Sequence, residues 1–277
     1  MIDAHQHVWA PGPDRYTWIP RGHQVLDEVY THRDLVTELS QRGIQSTVLV
    51  QAEDSLDDTW EMLAVAAAEP TVGGVVGWLP LHEPRDFAAA VEELSTNSWL
   101  VGIRHATGQP GAREWILGHE SVRSLRELAS LGLSLDLVTS DPIQLSAAIE
   151  VATRHPELHV VLDHLASPPI EEQGWEPWAA LLREAAKRPN VSAKVSGMCT
   201  SAGGGLRRPA ELLPYVSFAL EVFGAGRLMY GGDWPVALVG GSYREVFETT
   251  TAVLSDLSDS EKDHVFHSTA AEVYGMR

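Results

Sequence analysis

Eight short apolar segments recur along the chain, and amphipathic segments with a helical period separate them. The apolar segments are Ile2–Val8, Ile44–Gln51, Val72–Leu79, Trp99–Arg104, Leu133–Val138, His159–His164, Val191–Ser196 and Arg227–Gly232. Near-continuous apolar strands that alternate with helices are typical of a parallel sheet buried on both faces. Eight such units in one chain predict an α/β fold in which the sheet closes into a (β/α)8 TIM barrel.

Capping residues mark the ends of several predicted helices. Asp141 is placed to cap a helix that has Pro142 at its first position and ends near His155. Ser242 and Glu245 have the spacing of a capping box and predict another helix start. The helix after the second strand spans residues 55–69, and its Trp60, Leu63 and Ala67 share one face, which we expect to pack on the barrel.

Four long irregular segments each follow a predicted strand directly. They cover residues 9–33, 107–113, 166–174 and 197–209. In a (β/α)8 barrel the loops after the strands form the active-site face, so long loops there predict walls around a substrate.

The length of the chain fits one barrel with little left over. It has 277 residues, of which 44% are hydrophobic and 21% are charged. A (β/α)8 barrel takes roughly 250 residues, and this composition is ordinary for a globular domain. With no linker or internal repeat in the sequence, we expect a single domain over residues 1–277.

The net charge of −18 bears on the partners of the protein. Nucleic acids and anionic membranes attract clustered lysine and arginine, so neither is an expected partner. The chain shows no signal peptide and no apolar run long enough to span a membrane, and we expect a cytoplasmic location. Cys199 stands alone, so no disulfide can form within the chain. The sequence leaves the oligomeric state open, a homo-oligomer included.

Polar residues with catalytic chemistry stand at the ends of three predicted strands. His5 and His7 are two positions apart on the first strand, so their side chains point to the same side. His164 ends the sixth strand, and Asp233 follows the eighth. Any one of them could be an ordinary polar residue at a strand end, but all four reach the same mouth of the barrel. Together they predict a site that binds a divalent metal or polarises a carbonyl oxygen.

Four sequence stretches resemble a known family. They are Met1–Trp9 with its His5-Gln6-His7, Gly102–His105, Leu162–His164 and Tyr230–Pro235. They are similar to the amidohydrolase-related lactonases, a group with fuconolactonases, rhamnonolactonases, sulfomuconolactone hydrolases and pyrone-dicarboxylate lactonases. The resemblance extends from the first strand to residues 270–274. It implies an amidohydrolase-type barrel and an enzyme that opens a small lactone, with a sugar-acid lactone as the first choice.

The resemblance also implies roles for the four residues. Asp233 would be the general base that takes a proton from the attacking water. His164 would polarise the scissile carbonyl or position the water. His5 and His7 would either bind one metal with Asp233, with His164 as a further ligand, or hydrogen-bond the lactone directly.

The resemblance leaves the metal as an open question. Binuclear relatives use a carboxylated lysine on the fourth strand, where this chain has Arg104-His105. A histidine on the fifth strand is missing too, since Asp136 stands in that strand. We therefore expect either no essential metal or one divalent ion, with Zn²⁺ the first choice for nitrogen and oxygen ligands.

Further side chains at strand ends are candidates for substrate binding. They are Arg104, His105, Lys194, Gln51, Trp78 and Trp234. Arg104 could bind a carboxylate or ring oxygen, or pair with Asp136 inside the barrel. Lys194 could contact the carboxylate of the product or form a buried ion pair. Trp9 and Trp18, in the first long loop, could offer aromatic walls to a sugar ring.

Two other functions stay open at this point. Zinc-dependent decarboxylases share the barrel and the His-x-His pair, although they need a firmly held metal. A barrel that binds a sugar acid without catalysis would have no need of a carboxylate at Asp233 beside two histidines.

Overall fold

The computed structural model describes residues 1–106, 112–201 and 204–276, and it confirms the predicted (β/α)8 barrel. Eight parallel strands pair in chain order, each with the next. They are β1 (Ile2–Gln6), β2 (Ser46–Val50), β3 (Val72–Gly77), β4 (Leu100–Ala106), β5 (Ser134–Val138), β6 (Val160–Leu162), β7 (Val191–Val195) and β8 (Leu228–Tyr230). All eight lie within or overlap the predicted segments.

Backbone hydrogen bonds bring the last strand back to the first. The His7 amide donates to the Trp234 carbonyl at 2.7 Å, and the Asp233 amide donates to the His5 carbonyl at 2.8 Å. A Cβ atom on Gly231 would lie 2.6 Å from the Cβ of His5. Only glycine therefore allows the chain after β8 to come this close to β1, and this closure sets Asp233 beside the two histidines.

Helices surround the barrel. They are α1 (His32–Gln41), α2 (Leu56–Ala68), α3 (Pro84–Leu94), α4 (Ala112–Ile116), α5 (His119–Ser130), α6 (Pro142–Arg154), α7 (Trp178–Ala186), α8 (Pro209–Phe223), α9 (Tyr243–Val253), α10 (Asp259–Asp263) and α11 (Thr269–Val273). The Asp141 carboxylate accepts from two amides at the start of α6, and Ser242 and Glu245 form the predicted capping box of α9. Within the described residues, no helix combines the length and apolar character that crossing a membrane requires.

The predicted inner face of α2 is wrong by part of a turn. Leu63 is buried, but Trp60 is 41% exposed and Ala67 faces solvent as well. The buried residues of this helix are Asp58, Thr59, Met62, Leu63 and Ala66. Asp58 is drawn inward because its carboxylate accepts from the Ala52 amide and from the Tyr16 hydroxyl, and this rotates the helix relative to a purely apolar face.

Two apolar layers make up most of the core. One lies between the strands and the helices, and a smaller one fills the inside of the barrel with residues such as Ile2, Val48 and Met229. Tyr274 belongs to the inner layer. Of the long loops, residues 9–31 fold over a small cluster that includes Trp9 and Tyr16. Residues 107–111 and 202–203, in two other predicted loops, lie outside the described residues.

Candidate active site

The structure brings His5, His7, His164 and Asp233 together at the mouth of the barrel. The Nε2 atoms of His5 and His7 are 3.1 Å apart. The Asp233 Oδ1 atom lies 3.6 Å from Nε2 of His5 and 3.5 Å from Nε2 of His7. The ring of His164 lies 4.7 Å from that of His5, centre to centre. One carboxylate therefore faces three imidazoles.

Asp233 is a buried, ionised carboxylate. It is 6% exposed, and its backbone is left-handed with φ of 53°. Burial alone would raise the pKa of Asp233, but its neighbours, His164 foremost among them, outweigh it and lower the pKa to about 2. The group is thus charged at neutral pH and can accept a proton.

His5 of β1 and His7, which directly follows β1, are buried and neutral. Burial lowers the pKa of His5 well below 6.5, and burial also lowers that of His7. The Nδ1 atom of His7 lies 2.7 Å from the Val50 carbonyl oxygen, which only accepts hydrogen bonds. That contact fixes the ring plane of His7 and puts its proton on Nδ1.

His164 sits in an unusual turn directly after β6. Residues His164, Leu165, Ala166 and Ser167 all have positive φ, between 50° and 57°. The Nδ1 atom of His164 lies 2.9 Å from the Ser196 hydroxyl. A Cβ on Gly197 would lie 2.4 Å from that same nitrogen. Sequence reasoning missed Ser196 and Gly197 as supports, although the Ser-Gly pair at the end of β7 was a visible signal.

A buried ion-pair network lies directly beneath the site. The Lys194 Nζ atom is 2.7 Å from Asp136 Oδ2 and 3.1 Å from Asp163 Oδ1. Arg104 Nη1 lies 3.3 Å from Asp163 Oδ2. Of the two interpretations of Lys194, the ion pair therefore fits, since its 0% exposed side chain is closed off from any product carboxylate. The alternative in which Arg104 pairs with Asp136 is not formed, because Lys194 occupies that carboxylate and Arg104 pairs with Asp163 instead.

Asp163 is a third residue to which the sequence assigned no role. It lies in the Leu162–His164 stretch, where the sequence pattern pointed to a catalytic role for His164 alone. Burial opposes ionisation of Asp163, yet Lys194 outweighs burial and holds the pKa well below its ordinary 3.8. Asp163 Oδ1 also lies 3.4 Å from Nδ1 of His5, so this carboxylate joins the network to the site.

The other predicted substrate contacts lie in the walls of the mouth. Gln51 is 2% exposed and donates to Asp54 Oδ1 at 3.0 Å. His105 is 3% exposed, its Nε2 lies 2.8 Å from the Leu79 carbonyl oxygen, and its ring packs at an angle against those of Trp78 and Trp115. Trp234 is 4% exposed and packs edge-on against a tyrosine, Tyr30. Trp78 is half-buried, and Trp18 is 47% exposed against the buried Trp9, so these two offer accessible aromatic surface.

The donor atoms at the mouth fit one divalent metal. One ligand atom each from His5, His164 and Asp233 lies within 4.8 Å of the others. Two imidazoles and a carboxylate are a donor set that zinc accepts in open, three-ligand sites. This trio differs from the expected first choice, in which His7 was a primary ligand and His164 an additional one.

Comparison with known proteins gives consistent matches over the whole barrel. The model of the amidohydrolase family matches residues 2–276. An L-fucono-1,5-lactonase of Burkholderia ambifaria is 35% identical over 248 residues, which cover 87% of this chain and 82% of that protein. An L-fucono-1,5-lactonase of Burkholderia multivorans is 31% identical over 286 residues, or 99% and 96% of the two chains. The crystal structure of a Burkholderia multivorans amidohydrolase with bound zinc is 32% identical, with a TM-score of 0.93 over 100% of this chain and 99% of that one.

Proposed function

The chain belongs to the amidohydrolase family, and from that premise we propose that it hydrolyses the lactone ring of a sugar acid. The family match covers residues 2–276, so the proposal concerns the whole barrel. The identities of 35% and 31% to L-fucono-1,5-lactonases support a hydrolase of carboxylic esters that acts on this class of lactone.

The observation that carries the proposal is the ionised Asp233 beside the imidazoles of the barrel mouth. Lactone opening needs an activated water and stabilisation of one oxyanion. Asp233 takes a proton from the water whose oxygen attacks the lactone carbonyl carbon. The ring C–O bond then breaks, and the proton returns from Asp233 to the leaving alkoxide. His164, held by Ser196 at 2.9 Å, lies where it can polarise the carbonyl or orient the water.

Arg104 supplies positive charge next to His7. Its Nη1 atom is held by Asp163, while its Nε atom is buried and has no hydrogen-bond partner among the described residues. A buried donor without a hydrogen-bond partner carries a desolvation penalty, and a substrate oxygen that accepts a hydrogen bond from it would remove that penalty. We assign Arg104 to the carbonyl or ring oxygen of the lactone.

The proposed site has ligands for one divalent metal ion. His5, His164 and Asp233 would hold it, and the zinc-bound relative supports zinc. When bound, the ion supplies Lewis acidity close to the lactone carbonyl. An ester needs less activation than an amide, so we propose that hydrolysis proceeds in part without the ion.

Aromatic surface at the mouth suits a sugar-derived ring. Trp78 and Trp18 both have accessible faces, and the C–H groups of a sugar pack well on such faces. His105 packs against Trp78, while Gln51 and Trp234 are buried residues of the mouth.

The test is a substrate panel on the purified protein. Aldono-lactones, L-fucono-1,5-lactone among them, would be followed by acid release in a weakly buffered indicator assay, with the spontaneous rate subtracted. Aromatic carboxylic acids would be followed in parallel by CO₂ release. We expect acid release from at least one sugar lactone and no CO₂.

The two alternatives give different results in the same panel. A decarboxylase would release CO₂ and leave the lactones at their spontaneous rate. A sugar-acid-binding barrel would do neither, but its thermal melting temperature would rise with an aldonic acid. Either pattern would contradict the proposed function.

A further inference from the structure

We propose that Lys194 is a positioning residue that fixes the proton of His5 on Nε2 and thereby weakens zinc binding at the active site. The inference rests on the proposed function, because it concerns the same site, but it is drawn from the hydrogen bonds of the chain itself. It follows from one buried ammonium group and two ring contacts.

Lys194 contacts the imidazole ring of His5. The Lys194 Nζ atom lies 3.2 Å from Nδ1 of His5, in hydrogen-bonding geometry. An ammonium group has three N–H donors and no acceptor. Nδ1 of His5 must therefore accept, and the proton of this imidazole must be on Nε2.

The two histidines also contact each other. Their Nε2 atoms are 3.1 Å apart, so one of them donates to the other. Because His5 carries its proton on Nε2, His5 donates and His7 accepts. His7 must then carry its own proton on Nδ1, and there it meets the Val50 carbonyl oxygen at 2.7 Å. The result is one continuous series of hydrogen bonds from Lys194 through His5 and His7 to the Val50 carbonyl, in which every donor has an acceptor.

This series of hydrogen bonds opposes metal binding by His5. A ligand nitrogen must offer a lone pair, and Nε2 of His5 does not offer one in this arrangement. To bind zinc, His5 must move its proton to Nδ1 and give up its bond to His7. The new N–H would then point at the ammonium of Lys194, a donor facing a donor.

Asp163 is the competing partner for the same nitrogen. Its Oδ1 atom lies 3.4 Å from Nδ1 of His5, and it would accept the N–H of the metal-binding form. A carboxylate behind a histidine is the usual support for a metal ligand. Lys194 and Asp163 therefore pull His5 toward opposite tautomers, and in this structure the lysine makes the hydrogen bond.

Lys194 cannot easily leave this position. Its side chain is 0% exposed, and Asp136 binds it at 2.7 Å. Asp136 is held in turn by the Tyr274 hydroxyl at 2.7 Å and the Ser134 hydroxyl at 2.9 Å. The ammonium is thus fixed against His5 whether or not the mouth holds a ligand.

The decisive experiment measures zinc affinity in metal-free protein by competition with a chromogenic chelator. The double variant Lys194→Met/Asp136→Asn removes the donor and keeps the buried charge balanced, while Asp163→Asn replaces the competing carboxylate by a neutral and weaker acceptor. Changes behind a ligand histidine alter metal affinity by about 10- to 100-fold. We expect zinc to bind about tenfold tighter to the double variant and at least about tenfold weaker to Asp163→Asn. The control, Lys187→Met/Glu184→Gln, removes an exposed lysine–carboxylate pair outside the site and should bind zinc as the wild type does.

Equal or weaker zinc binding in the double variant would overturn the proposal, because a merely structural lysine would lower the affinity when removed. If the double variant does not fold, the wild type still decides. Nitrogen-15 NMR of the metal-free protein, with the His5 signals identified by their loss in His5→Gln, should show the proton on Nε2. A proton on Nδ1 would refute the assignment.

These measurements stand apart from the test of lactone hydrolysis. Zinc affinity and the His5 tautomer are read without any substrate. The expected zinc results with an inactive substrate panel would leave the tautomer assignment intact and remove the lactonase. Lactone hydrolysis by the wild type, with unchanged zinc affinity in the variants, would leave the proposed function intact and remove the role proposed for Lys194.

Discussion

His105 gives the protein a pH-dependent contribution to stability that can be isolated. It is 3% exposed between Trp78 and Trp115, and its Nε2 faces the Leu79 carbonyl oxygen at 2.8 Å. Burial lowers the pKa of His105 from 6.5 to about 4, even though the bond to Leu79 favours the charged form. The folded protein therefore keeps this ring neutral at pH values where the unfolded chain protonates it.

The sign and the size of the effect follow from this shift. A folded-state pKa below the unfolded value means that the stability contribution is fully present above pH 6.5 and is lost progressively as the pH falls from 6.5 to about 4. One pKa unit corresponds to about 1.4 kcal/mol. Linkage over this shift lowers the free energy of unfolding by about 2 kcal/mol between about pH 7 and about pH 5.

The perturbation is His105→Gln, which keeps an amide donor for the Leu79 carbonyl but does not titrate. Denaturant unfolding of both proteins at pH 7 and pH 5 gives four free energies, and the other buried histidines cancel in their double difference. We expect the wild type to lose about 2 kcal/mol more than the variant between these pH values. An equal loss in both proteins would refute the reasoning about His105.

Three further predictions concern the active site. Arg104→Met should lower kcat/KM at least about tenfold with a cooperative melt retained, whereas a large drop in Tm with unchanged kinetics would indicate a structural role only. Gly197→Ala places a Cβ 2.4 Å from Nδ1 of His164 at a φ of +63°, so kcat should fall about tenfold or more; steady-state kinetics at wild-type level would contradict the packing. Elemental analysis should find at most one zinc per chain, bound at His5, His164 and Asp233, with part of the activity surviving chelation; two tightly held equivalents would be inconsistent with this ligand set.

The barrel could be predicted because its signal is simple. Eight buried strands must be apolar on both faces, and segments such as Val72–Leu79 show this in the sequence alone. The first and last residues of each strand are harder to predict. β8 begins at Leu228 because Arg227 ends a short turn and its guanidinium donates to backbone carbonyls, which the apolar pattern does not reveal.

The site could be predicted only as far as strand ends determine it. His5, His7, His164 and Asp233 come together because parallel strands of a barrel end at one mouth. The partners of Arg104 could not be read in the same way. Arg104 lies beside Asp136 in the strand register, yet it pairs with Asp163 because Lys194 reaches Asp136 from β7. Such a choice depends on side-chain positions across the inside of the barrel, and spacing along the chain does not contain them.

The central claim is that Asp233 acts as the base in lactone hydrolysis, and the most direct test is the kcat of Asp233→Asn on a sugar lactone that the wild type opens. The change keeps the size of the side chain and removes its ability to take a proton. We predict a cooperative melt like that of the wild type and a kcat lower by about 10² or more, the scale of a lost general base. A folded Asp233→Asn protein that keeps more than about a tenth of the wild-type kcat would contradict the account, because water would then be activated by another group.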